Sequence, residues 1–147
     1  MKILIDADGC PVVDIAVAEA KKRGIECLIL CDTAHYFAKD GAQTITVSTG
    51  SDSADFVLVN LVKNSDIVIT QDYGLAAMCL AKKAFVLNQD GMEYTSFNID
   101  SLLQSRHMAK KIRNAGGRLK GPSKRKKEQD DSFLKSYISL IKKIKPE

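Results

Sequence analysis

Short apolar runs alternate with amphipathic stretches along most of the chain. Five runs have the length and the β-branched content of buried strands, and they are KILID, ECLILC, QTITV, DIVIT and AFVLN. Helical periodicity lies between them, in the stretch after Pro11, in ADFVLVNLV and in GLAAMCLAKK. Because alternating strands and helices form right-handed crossovers, we expect a three-layer α/β/α sandwich with a mostly parallel sheet of four or five strands.

The last third of the chain predicts two more helices with a loop between them. A helix is expected from about residue 99 to 115, where a pair of glycines ends it. Residues 116–129 are basic and lack apolar periodicity, so they predict a mobile loop, and an amphipathic helix is expected at about 131–144. Since 147 residues suit one ordinary domain, we expect residues 1–147 to form a single domain.

Composition excludes several classes of protein. The 4 cysteines form no CxxC pair and only 2 histidines are present, so neither a disulfide framework nor a zinc ribbon is indicated. No stretch approaches the roughly 20 apolar residues of a membrane span, and nothing at the N-terminus marks export. We therefore expect a cytoplasmic protein without a membrane partner.

The charges are unevenly distributed. Residues 1–100 contain 8 Lys or Arg against 14 Asp or Glu, whereas residues 101–147 contain 14 against 4. An acidic body with a basic end suits a protein that gathers cations at one site and binds a polyanion beside it. Nucleic acid is the expected polyanion, with RNA favoured over DNA, and the sequence leaves a homo-oligomer open. The alternative is that a lysine-rich end only increases solubility.

Aspartates follow the predicted strands at three points. Asp6 closes the first strand, Asp72 comes two residues after DIVIT, and Asp52 and Asp55 lie on the first turn of the helix after QTITV. Because the carboxyl ends of parallel strands share one edge of the sheet, we expect these carboxylates to converge there, with Asp8 beside them.

Several carboxylates in one cleft predict a bound cation. They would raise one another's pKa unless a positive charge neutralised them, and oxygen ligands select a hard ion such as Mg²⁺ or Mn²⁺. Such an ion activates water for phosphodiester hydrolysis without a histidine, and Thr70 and Gln71 could orient that water. The structural alternative is that Asp52 caps a helix, Asp55 complements a helix dipole and Asp72 begins a turn.

A run of basic residues follows the acidic body. The best candidates for phosphate ligands are Arg106, Lys110, Arg113, Arg118 and Lys120. Contacts of this kind are largely independent of base sequence and weaken with salt, so they suit a clamp on the nucleic-acid backbone. A solvated, disordered charge run is the alternative.

Four blocks, DADGCPV, GSDSAD, TQDYGLA and GGRLKGP, resemble the signature blocks of the bacterial YaiI/YqxD family, whose fold is similar to PIN-like nuclease domains. The resemblance covers nearly the whole chain. It implies that Asp6, Asp55 and Asp72 occupy the acidic catalytic positions of PIN-type nucleases, with Asp8 and Asp52 as further metal ligands. PIN nucleases usually carry another acid shortly after the final motif, where this chain has YGL. Either Asp8 or Asp52 substitutes for that acid, or the pocket binds metal poorly.

The main prediction is a divalent-metal-dependent nuclease that hydrolyses RNA or single-stranded DNA and holds it with a basic C-terminal clamp. Two alternatives stay open. One is a non-catalytic PIN-like module that binds nucleic acid or protein. The other is a phosphatase of the haloacid dehalogenase type, since KILIDADG resembles its DxDG opening with Asp6 as nucleophile and Asp8 as acid/base, although the later motifs come in a different order.

Overall fold

The computed structural model describes residues 1–32, 38–47, 53–117 and 123–146. These residues form six strands and five helices. The strands are β1 (Lys2–Asp6), β2 (Glu26–Asp32), β3 (Gln43–Val47), β4 (Ile67–Ile69), β5 (Phe85–Leu87) and β6 (Glu93–Tyr94). The helices are α1 (Val13–Lys22), α2 (Ser53–Leu61), α3 (Tyr73–Ala81), α4 (Ile99–Asn114) and α5 (Lys127–Ile144).

The sheet has the strand order β3-β2-β1-β4-β5-β6, and all neighbouring strands are parallel except β5 and β6. The chain builds outward from β1 to β3 on one side and from β4 to β6 on the other, so the strand order reverses between β1 and β4. Open α/β sheets bind ligands beside the carboxyl ends of the strands at such a reversal. Asp6 ends β1, and Thr70 to Asp72 follow the end of β4.

Helices cover both faces of the sheet. Ile3 and Ile5 of β1 pack in one core with residues of α1 and α5, whereas Leu4 packs in a second core with residues of α2, α3 and the first turn of α4. Both faces of β1 are therefore buried, which explains its continuous apolar run. The α/β class, the mostly parallel sheet and the two helical layers are confirmed.

Two boundaries differ from the prediction. The sheet has six strands among the described residues rather than the four or five expected, because the two residues of β6 pair antiparallel with β5. Helix α5 begins at Lys127 rather than near residue 131, since the Lys126 backbone N–H donates to Gln129 Oε1 at 2.8 Å and closes the first turn. Residues 118–122 of the predicted mobile loop lie outside the described residues, and the mobility stays a prediction.

Within the described ranges, no helix is both long and apolar enough to cross a membrane.

Candidate functional site

A cleft of about 600 Å³ opens at the carboxyl edge of the sheet, beside the reversal of strand order. Its lining comes from the β1–α1 loop, α2, the β4–α3 connection and α4. The lining residues are Asp6, Asp8, Gly9, Asp55, Gln71, Asp72, Tyr73 and Arg106. Four of the five predicted aspartates thus lie on one cleft. The fifth, Asp52, lies outside the described residues.

The carboxyl of Asp6 has a pKa well above its usual value. Burial raises its pKa from the usual 3.8 to about 6, a hydrogen bond from Thr70 opposes that rise, and the negative charges of Asp55, Asp72 and Asp8 add to it. The Asp6 carboxylate is therefore ionised at pH 7 only against the preference of its surroundings. A positive charge in the cleft would relieve this cost.

Thr70 links Asp6 to the start of α3. It is 1% exposed, and its hydroxyl donates to Asp6 Oδ2 at 2.7 Å while accepting from the Asp72 backbone N–H at 3.0 Å. Its carbonyl accepts from the Tyr94 hydroxyl at 3.1 Å. The Thr70 hydroxyl therefore positions the Asp6 carboxylate, and its predicted role in orienting a water stays a prediction. Sequence reasoning missed this role, although a threonine between a buried strand and an aspartate is a usable signal.

Gln71 also bonds to protein. Its Nε2 donates to the carbonyl of Gly9 at 2.9 Å and so ties the β4–α3 connection to the β1–α1 loop. The predicted role in orienting water stays a prediction for this residue.

Asp72 has a structural role as well as a place in the cleft. It is the N-cap of α3, and its Oδ1 accepts from the backbone N–H groups of Gly74 at 2.8 Å and Leu75 at 3.1 Å. The same oxygen lies 3.4 Å from Arg106 Nη1 on α4. The structural alternative for Asp72 is thus present in the fold, and it leaves the carboxylate on the cleft.

Asp8 and Asp55 complete the acidic lining. Asp8 Oδ2 accepts from the Asp32 backbone N–H at 3.0 Å, which fastens the β1–α1 loop to the end of β2. Asp55 lies in the first turn of α2, where the helix dipole favours a negative charge. Asp6 and Asp8, the pair on which the phosphatase alternative depends, both line the cleft.

The donor atoms of the cleft suit a metal ion, but their arrangement in the described residues gives no separate support for one. A set of donors made only of carboxylate oxygens suits Mg²⁺ or Mn²⁺ in its chemistry. In the part of the chain that the structure describes, however, no group of three His, Cys, Asp or Glu side chains is arranged to hold a metal ion. The catalytic and metal-binding roles of Asp6, Asp8, Asp52, Asp55 and Asp72 therefore stay predictions.

A basic stripe runs along α4 from the rim of the cleft. Arg106, Lys110 and Arg113 are spaced i, i+4 and i+7, which places them on one face of the helix. Every residue from 104 to 117 except Ala109 is exposed, so this half of α4 presents a free surface to solvent. At 1.5 Å per residue the stripe spans about 10 Å. The other two predicted phosphate ligands, Arg118 and Lys120, lie outside the described residues.

Arg125 has a structural role within the basic stretch. Its guanidinium donates to Asp90 Oδ1 at 2.8 Å, to Asp130 Oδ1 at 2.8 Å and to the Gln89 carbonyl at 2.7 Å. These bonds join the first turn of α5 to the β5–β6 turn. A count of basic residues in the sequence does not separate this internal role from binding of a polyanion.

Comparison with known proteins places the chain in a family. The model described as "Uncharacterized BCR, YaiI/YqxD family" matches residues 4–143. A UPF0178 protein of Exiguobacterium sibiricum is 52% identical over 141 residues, which cover 96% of each chain. A UPF0178 protein of Ruminiclostridium cellulolyticum is 50% identical over 142 residues, covering 97% of this chain and 93% of the relative. One from Clostridium acetobutylicum is 43% identical over 143 residues, covering 96% and 97%.

These matches confirm the resemblance carried by the four sequence blocks, while the likeness to PIN-like nucleases stays a prediction. The chain belongs to the bacterial YaiI/YqxD family.

Proposed function

We propose that this protein is a cytoplasmic nuclease of PIN-like fold that hydrolyses phosphodiester bonds in RNA or single-stranded DNA with the help of a divalent metal ion. The observation that carries the proposal is the meeting of two surfaces of opposite charge. Asp6, Asp55 and Asp72 line one cleft, and the basic stripe of α4 begins with Arg106 at the rim of that cleft. A strand bound along the stripe would present a phosphodiester to the carboxylates.

The acidic half of the proposal rests on the cost of concentrating carboxylates. Asp6, Asp55 and Asp72 would hold the ion, with Asp8 and Asp52 as further candidates. When bound, Mg²⁺ or Mn²⁺ would supply an activated water and neutralise charge that develops on the phosphate. The chain itself contributes orientation, because the Thr70 hydroxyl fixes Asp6, and the backbone N–H groups of α3 fix Asp72.

The basic half of the proposal rests on the exposure and spacing of Arg106, Lys110 and Arg113. Cations along an exposed helix neutralise backbone phosphates without reading bases, which suits an enzyme that acts on the sugar–phosphate chain. Such contacts release counterions, so strand binding should weaken steeply as salt is raised. Arginine at the rim can also hold two oxygens of one phosphate.

The test is cleavage of end-labelled single-stranded RNA and DNA in Mn²⁺ or in chelator. We expect Mn²⁺-dependent products from the wild type and a loss of at least about 100-fold in Asp6→Asn and Asp55→Asn, because each removes a carboxylate from the cleft. Asp100→Asn is the matched control, since it removes an exposed carboxylate from α4 that does not line the cleft. Purification of all variants in parallel excludes a contaminating nuclease, and circular dichroism verifies folding.

Absence of cleavage by the wild type on both substrates, or equal cleavage by Asp6→Asn, would contradict the proposal.

A second candidate, a non-catalytic module that binds nucleic acid, is favoured by a specific observation. Asp72 Oδ1 is engaged by two backbone N–H groups and by Arg106, and the described residues gather no three ligands for a metal ion. This candidate predicts strand binding that is unchanged by chelator and persists in Asp6→Asn, without cleavage by either protein. The same assay therefore separates the two functions.

A further inference from the structure

One ion pair joins the acidic cleft to the basic stripe. Arg106 Nη1 on α4 lies 3.4 Å from Asp72 Oδ1 at the start of α3, and the two side chains are 59% and 34% exposed. Charge-assisted hydrogen bonds of firmly held pairs are usually about 2.7–2.9 Å long. The Arg106–Asp72 contact is longer than this and open to water, so it can exchange for another partner at little cost.

The backbone leaves room for this contact. A Cβ at Gly74 would lie 3.3 Å from Asp72 Oδ1 and 3.5 Å from Arg106 Nη1, so a side chain there would crowd the place where the two charged groups meet. The Gly74 N–H meanwhile donates to the same carboxylate oxygen. Asp72 is thus held in place from the α3 side by its cap, while its contact with Arg106 remains accessible.

Arg106 differs in charge from the other ionisable residues that are described in the lining of the cleft. Of the described residues that line the cleft, four are aspartates and Arg106 is the one with a positive charge. Arg106 also begins the stripe that continues through Lys110 and Arg113. A single guanidinium therefore offsets part of the negative charge of the cleft and starts the surface that would bind phosphates.

We propose that Arg106 is an exchangeable cation of the cleft, which neutralises Asp72 while the cleft is empty and moves to a backbone phosphate when a nucleic-acid strand binds. The inference rests on the proposed function and adds regulation of the same site. A strand that draws Arg106 away leaves Asp72 available to a divalent cation, and a cation at Asp72 frees Arg106 for phosphate. Binding of strand and binding of metal then strengthen each other by the same factor, as linkage requires.

The first arm of the test measures Mn²⁺ binding to the full chain without nucleic acid, through the electron paramagnetic resonance signal of free Mn²⁺. Arg106→Gln should bind Mn²⁺ about three- to fivefold more tightly than the wild type, the range that an exposed ion pair can contribute. Arg113→Gln is the matched control, because it removes the same charge from the same face of α4 without touching Asp72. It should stay within about twofold of the wild type.

The second arm measures binding of a fluorescent oligouridine in chelator, where no metal takes part. Asp72→Asn and Asp55→Asn each remove one negative charge from the cleft, but the former alone also releases Arg106. We expect Asp72→Asn to tighten strand binding about threefold more than Asp55→Asn. In an Arg106→Gln background that difference should vanish, which is the signature of a direct coupling between the two residues.

The outcomes distinguish this inference from the proposed function. Equal strand affinities of Asp72→Asn and Asp55→Asn would overturn the exchange, whether or not the wild type cleaves nucleic acid. Absence of Mn²⁺ binding and of cleavage would overturn the metal-dependent nuclease, while the chelator arm would still decide the exchange. Tighter Mn²⁺ binding by Arg106→Gln together with the double-variant result would support it.

Discussion

Asp6→Asn should make the metal-free protein more stable, although it removes a residue from the proposed catalytic set. Burial, together with the charges of Asp55, Asp72 and Asp8, raises the Asp6 pKa from 3.8 to about 6. Since each pKa unit corresponds to about 1.4 kcal/mol, keeping this carboxylate ionised in the folded state costs about 3 kcal/mol at neutral pH. The asparagine carbonyl can accept the Thr70 hydroxyl as the carboxylate does, but its amide group also needs partners. We therefore expect a gain of about 1–3 kcal/mol in the free energy of unfolding.

The gain in the free energy of unfolding that Asp6→Asn produces should depend on pH. The folded-state pKa of Asp6 lies above its unfolded value, so the folded protein holds this proton more tightly between about pH 4 and pH 6. The wild type therefore loses stability as the pH rises through this window, whereas Asp6→Asn has no such loss at this position. The two proteins should be similar near pH 4 and differ fully above about pH 7.

Urea unfolding followed by far-UV circular dichroism, in chelator at pH 4, 5, 6 and 7.5, measures the difference directly, because the titration of other groups largely cancels between variants. Asp100→Asn is the control, since its exposed carboxylate lies at the favourable end of a helix dipole and its removal should not stabilise the protein. In place of chelator, Mn²⁺ should reduce the difference in the free energy of unfolding between the two proteins, because it should stabilise the wild type more than Asp6→Asn. A gain that does not change with pH, or no gain at pH 7.5, would refute the reasoning.

Two further predictions concern the β5–β6 turn and its contacts with α5. Gly91→Ala should lower the free energy of unfolding by more than about 2 kcal/mol, because residue 91 has a φ of +88° and an added Cβ would lie 2.7 Å from the Ser132 carbonyl oxygen. Gly116→Ala, with a φ of +86° and open space, should cost only about 1 kcal/mol, and equal losses in urea unfolding would contradict this account. Arg125→Gln should speed amide hydrogen exchange in the β5–β6 turn, because it breaks the bonds between that turn and the start of α5. Exchange unchanged relative to Lys124→Gln would show that those bonds do not hold the turn.

The sheet and the gathering of acids were predictable because both follow from local pattern and a general rule of topology. Apolar runs that alternate with helical stretches fix strand direction, and parallel strands bring their carboxyl ends to one edge. Asp6 directly follows the apolar run of β1, and Asp72 follows that of β4 after two residues. Their common edge therefore follows from the sequence pattern alone. The separation of their sequence positions did not matter.

The side-chain contacts of the aspartates, such as that between Asp72 and Arg106, were not predictable in the same way. Residues 72 and 106 are 34 positions apart, and their contact depends on how α4 packs against α3. Periodicity identifies the buried face of a helix but not its crossing angle or its offset along a neighbour. The two-residue β6 was missed for a related reason, since it is too short to show alternation and exists only through pairing with β5. The start of α5 at Lys127 likewise depends on a hydrogen bond between the Lys126 backbone and the Gln129 side chain, which the loop-like composition of this segment does not indicate.

The uneven charge of the sequence acquires a spatial meaning in this fold. The acidic first hundred residues supply the aspartates of the cleft, and α4 is the element that brings a basic residue from the remainder to its rim. A small anion approaching the cleft alone would meet four carboxylates, whereas a polymer can first be held by Lys110 and Arg113 outside it. In the function proposed above, that arrangement would select for a long polyanion over a free phosphate or a small phosphate ester, because Lys110 and Arg113 lie outside the acidic cleft. Under the same proposal, Arg106 would couple binding outside the cleft to the carboxylates within it.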